Sequence, residues 1–80
     1  MPSDEEIAAA LIDLARRRGR GASFCPSEAA RALCGDWRPL MAHIRRVAAG
    51  LTAQGRLVAT QRGMEVSLAD ARGPVRLRLR

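Results

Sequence analysis

Arg38, Arg45 and Arg46 are the residues whose type and spacing most directly suggest chemistry. At about 100° per residue they fall on one side of a helix, with the small Ala42, Ala49 and Ala53 between them. A guanidinium group is planar, permanently charged and able to bond two acceptors at once, whether on a phosphate or on a guanine edge. Small residues between such groups let the helix lie close to a flat polyanion. The pattern predicts a helix in the major groove of double-stranded DNA, with Arg38, Ala42, Arg45 and Ala49 facing bases. Arg46, Arg56 and Arg62 are expected to hold phosphates and set the register.

No other residue set suggests a reaction. His43 stands alone, and Ser23 and Ser27 have no base partner, so neither general-base nor nucleophilic chemistry is expected. No Gly-rich stretch follows a strand to cradle a cofactor phosphate. Cys25 and Cys34 are the only cysteines. On a helix they would sit about 13 Å apart along the axis, too far for a disulfide. With one histidine and no further cysteine, metal ligands are lacking. The expectation is a protein that is not an enzyme, with no catalytic residue, metal, cofactor or small-molecule ligand.

Charge distribution supports the basic face. All 14 basic residues are arginine, and the net charge is +6. Residues 1–35 hold five arginines and five acids, which cancel, whereas residues 36–80 hold nine arginines and three acids. A general bias toward arginine codons would not confine the whole excess to one half; a nucleic-acid surface would. No run approaches the roughly 20 apolar residues of a membrane span, and acids at positions 4–6 oppose a signal peptide. A cytoplasmic protein away from membranes is expected.

The elements that must position these arginines can be read in order. Eighty residues suit a single domain spanning 1–80. Ser3 and Glu6 form a capping-box pair that opens a helix over 3–18, with Ile7, Leu11 and Leu14 as its buried stripe. Ile12 falls off that stripe, free for a second element or a partner. Ala22 to Phe24 reads as extended. Pro26 and Glu28 open a helix over 26–34, which Gly35 closes. Asp36 is placed to cap the central helix over 37–54, with apolar positions at Trp37, Leu40, Met41, Ile44, Val47, Ala48 and Leu51. So short a turn makes the two helices cross steeply, as in a helix-turn-helix. Beyond Gly55 the period changes. Leu57 to Gln61 is a strand, 61–64 a turn, 65–68 a continuing or returning strand, and 69–74 a loop. Val75, Leu77 and Leu79 then alternate with Arg76, Arg78 and Arg80, giving a half-buried strand with an arginine outer row. The fold class is α+β, a winged helix-turn-helix of three helices followed by a small antiparallel wing.

Several pieces together resemble a family of small bacterial proteins of unknown function predicted to be winged-helix domains. They are Ser23 to Glu28, Trp37-Arg38 with Leu40-Met41, Gly55-Arg56, and Ala71-Arg72-Gly73-Pro74 before the arginine-alternating end. The resemblance spans nearly the whole chain and implies the fold without implying an activity. It also draws attention to residues 71–74, which either fix the register of the last strand or serve function. The resulting expectation is a DNA-binding winged helix of the transcription-regulator kind, monomeric or weakly dimeric. The alternative is a protein–protein adaptor using Ile12 and the strand edge near Val66 to Leu68.

Overall fold

The computed structural model describes residues 1–80. Helix α1 spans Asp4–Arg18 and opens as its sequence requires. The Glu6 amide donates to Ser3 Oγ at 3.1 Å, and the Ser3 amide donates to Glu6 Oε1 at 3.0 Å. Helix α2 spans Pro26–Leu33, with the Cys25 amide donating to Glu28 Oε2 at 2.9 Å. It ends on Cys34 in extended conformation, and Gly35, expected to close it, follows without a left-handed turn. The central helix also departs from expectation in its first turn. Arg38–Leu40 is a 3₁₀ turn, and the α-helix proper, α3, spans Met41–Ala53. Trp37 already has helical backbone angles and no side chain caps the turn, so Asp36 does not act as the N-cap. Pro39 explains the tight start: it has no N–H to give, and the turn is closed by the amides of Leu40 and Met41 donating to the carbonyls of Trp37 and Arg38. At the other end Gly55, at φ 75, closes α3. The amides of Gly55 and Arg56 donate to the carbonyls of Thr52 and Leu51, the paired bonds of a Schellman stop.

Three strands follow: β1 (Leu57–Gln61), β2 (Met64–Val66) and β3 (Arg76–Leu79), in the antiparallel order β2-β1-β3. Phe24 adds one bridge beyond β3, exchanging two 2.8 Å hydrogen bonds with Leu77. The connection from β1 to β2 has positive φ at both central residues, Arg62 (53) and Gly63 (81), as a type I′ hairpin requires. Thus β2 returns along β1 and pairs Gln61 with Met64.

The sheet's inner face lies against the helices, with β3 meeting α1 and β1 meeting α3. Phe24, Ile7, Leu11, Leu40, Ile44, Leu57 and Leu77 fill the space between. Ile12 is buried in the same core, 7% exposed, so it serves a second element of this chain and is not free for a partner. Leu68 is also buried, which removes it from the strand edge of the adaptor reading. On the outer face Val58 is only 1% exposed. Arg78 pairs opposite it, and an Arg80–Glu65 ion pair at 3.0 Å bridges the strands on either side of β1.

Candidate nucleic-acid interface

The helix α3 carries no acidic residue, and its outward ridge is low. Ala42 and Ala53 are exposed, as a closely approached groove surface needs. Ala49 is half-buried in a crease between α3 and β2, lined also by Thr52, Ala53, Val66 and Ala69. It stands farther back than the helical projection alone implies.

The arginines separate into tied and free groups. Arg46 is tied to α1, making two 2.8 Å hydrogen bonds with the Asp4 carboxylate while its Nη2 lies 3.3 Å from His43 Nδ1. That hydrogen bond holds the Asp4 carboxyl below its usual value of 3.8. Arg45 is tied to the loop before β3. Its guanidinium donates to the carbonyls of Ala71 at 3.0 Å and Gly73 at 3.1 Å, so it does not reach outward as a free base reader. Arg17 and Arg18 pair with Asp13 and Glu28, and Arg76 donates to Ser23 Oγ and to the Ser23 carbonyl. Arg56 is exposed but lines a groove with Glu5, Ala8, Asp13 and Arg16 of α1. It sits at the opposite end of β1 from Arg62, so one approach to the wing tip does not bring both together.

Arg38 remains exposed beside the helix-turn-helix, its guanidinium 4.9 Å from the Trp37 ring centroid. Arg31 of α2 stacks on the same ring at 4.7 Å. Trp37 is half-buried against the core, consistent with its place on the apolar stripe, and it also orders two cations that no carboxylate neutralises. Arg31 carries no sequence signal for this role, because nothing local says that α2 will bring it to the ring.

At the wing, Arg62 and Arg72 face a common cleft lined by Gln61, Met64, Val66, Gly73 and Pro74. Residues 71–74 are held there by all four of their carbonyls. Arg45 takes Ala71 and Gly73, while Gln61 Nε2 donates to Arg72 and to Pro74. The loop leads into β3, as the register reading requires, and it leaves Arg72 exposed. No helix is long and apolar enough to cross a membrane. The fold, helix-turn-helix and wing together with the match of a family model over residues 4–80 decide the relationship.

The chain belongs to the family described as Protein of unknown function (DUF3253).

Among curated proteins, no relative matches it. Family membership covers nearly the whole domain, from the first residue of α1 to the end of the wing, and brings no activity with it.

Proposed function

We propose that this domain binds double-stranded DNA, with α3 in the major groove and the wing on the flanking backbone, as a small transcriptional regulator would. The observation that carries this reading is the distribution of unneutralised charge. Arg31 and Arg38 lie at one side of an acid-free helix with a low ridge and Arg62 and Arg72 lie on the wing, all four without an ion pair, while Arg46 of the same helix is turned to α1. Arg38 approaches base edges at the start of α3, and Ala42 and Ala53 permit the close approach. Arg62 holds phosphate, and Arg46 joins it once released from Asp4. Ala49 and Arg45 support this surface from behind, and Arg56 contributes long-range attraction.

Anisotropy of a labelled random duplex, read from about 50 to 200 mM salt, tests the proposal. A protein that neutralises about four to six phosphates gives a slope of log affinity against log salt near −4 to −5. No binding above background at about 50 mM salt rejects it. A pull-down onto genomic fragments, followed by sequencing, then reveals any preferred site.

A protein-binding adaptor is the second reading, favoured by one observation. The outer edge of β2 is unpaired, and Met64 beside it is 70% exposed. Binding to a partner that barely responds to salt, without duplex binding, supports this reading over the first.

A further inference from the structure

The four carbonyls of residues 71–74 are all turned toward the protein's own donors, Arg45 and Gln61. In a trans peptide the N–H points opposite to the preceding carbonyl. The Arg72 amide therefore points away from the Arg45 guanidinium and the Gly73 amide away from the Gln61 side chain, and neither finds an acceptor in the chain. Gly73 has φ +80, a conformation that glycine adopts without strain. Arg62 and Arg72 are exposed and, with Gly73, line one cleft of about 870 Å³. Neither forms an ion pair.

Arg62 adds a second line of argument. It occupies a position with φ 53, where Asn, Asp or Gly is preferred and a longer side chain costs conformational energy. Nothing in the chain's own hydrogen bonding uses the side chain held there. Strain kept at an exposed, otherwise idle cation points to a ligand. Met64 and Pro74 line the same cleft and supply an apolar surface suited to a sugar.

The geometry points to an oxyanion cradle at the wing, built from the side chains of Arg62 and Arg72 along the fixed loop 71–74, that takes one phosphodiester of a DNA backbone. Arg45 and Gln61 are its positioning residues, because their donors hold all four loop carbonyls and so fix the loop that carries Arg72. The inference rests on the duplex-binding reading and sharpens it: Arg72 and the loop 71–74 join Arg62 in holding phosphate.

Two measurements on the intact chain test it. In the first, inorganic phosphate is titrated against the ¹⁵N-labelled protein. Saturable amide shifts are expected at Arg72 and Gly73, with smaller ones at Arg62 and Gly63, and they should be lost in Arg62→Gln/Arg72→Gln. In the second, a random duplex is titrated against Arg62→Gln and Arg72→Gln. Each should lower the salt slope by about 0.9. Both side chains are exposed, and the amide spectrum of each variant reports whether the fold is kept. Phosphate shifts without duplex binding would uphold an anion site and reject the DNA reading. Duplex binding with unchanged slopes in both variants, and no localised phosphate shifts in the wild type, would overturn the cradle and leave the DNA reading standing.

Discussion

Arg46 on α3 grips Asp4 at the first turn of α1 through two hydrogen bonds of 2.8 Å. The contact lies at the surface, with both side chains more than half exposed, so its worth to folding is small. Its effect on binding is larger, because an acid sits against a cation on the helix proposed to meet DNA. Asp4→Asn should therefore strengthen duplex binding and steepen the salt slope by about 0.9, as Arg46 becomes free for a phosphate. Anisotropy titrations at several salt concentrations would show this. Weaker binding in the variant would remove Arg46 from the interface.

Ile44 is fully enclosed at the middle of the α3 stripe. Ile44→Ala should cost about 2–5 kcal/mol, a large part of the stability of so small a domain. Urea unfolding followed by circular dichroism measures it. A change below about 1 kcal/mol would contradict the packing of α3 on the sheet.

Arg62→Asn should separate stability from binding. Asn suits the left-handed first position of a type I′ turn better than Arg does, so the variant should gain up to about 1 kcal/mol. Duplex affinity should fall at the same time, the pattern expected where strain serves function. Loss of stability would show that Arg62 is unstrained.

Trp37 provides an internal reporter, since it is the only tryptophan and touches both Arg31 and Arg38. Duplex binding through Arg38 should change its fluorescence. Arg38→Gln should reduce that change and cost about 1–3 kcal/mol on a preferred site, with little loss on random duplex. Equal losses on both would make Arg38 a phosphate contact.

Acid should destabilise the domain through three carboxylates. Asp4 is held below its usual range chiefly by the Arg46 hydrogen bond, Glu6 by the Ser3 amide, and Glu28 by the Cys25 amide. Each binds its proton less readily when folded than when unfolded. Their contribution is thus complete above the ordinary carboxylate values of 3.8 and 4.5 and is lost as pH falls through and below them. Melting temperature should drop from about pH 5 downward, and Glu6→Gln with Glu28→Gln should flatten the fall. A pH profile unchanged by the two substitutions would count against these contacts.

Local chemistry made much of the fold legible. Ser3 with Glu6, Pro26 with Glu28, the stripe through Ile44 and the Arg62-Gly63 turn act over a few residues, and each formed as its sequence predicts. The first turn of the central helix departs from the pattern because a good cap at Asp36 competes with Pro39, and the tight turn around Pro39 prevails. For the candidate site, periodicity established which side of α3 faces away from the core and identified Arg38 and Ala42 as exposed, while the turn signal at 61–64 did so for Arg62. It could not say which arginines remain free. That depends on partners distant in the chain: Asp4 lies 42 residues from Arg46, and Ala71 lies 26 from Arg45. A guanidinium bonds whatever acceptor the fold brings within about 3 Å, and sequence spacing does not encode that meeting. The same reason hid Gln61 and left Arg72 marked only by the family resemblance of residues 71–74, since both meet only where the wing hairpin closes on the loop before β3.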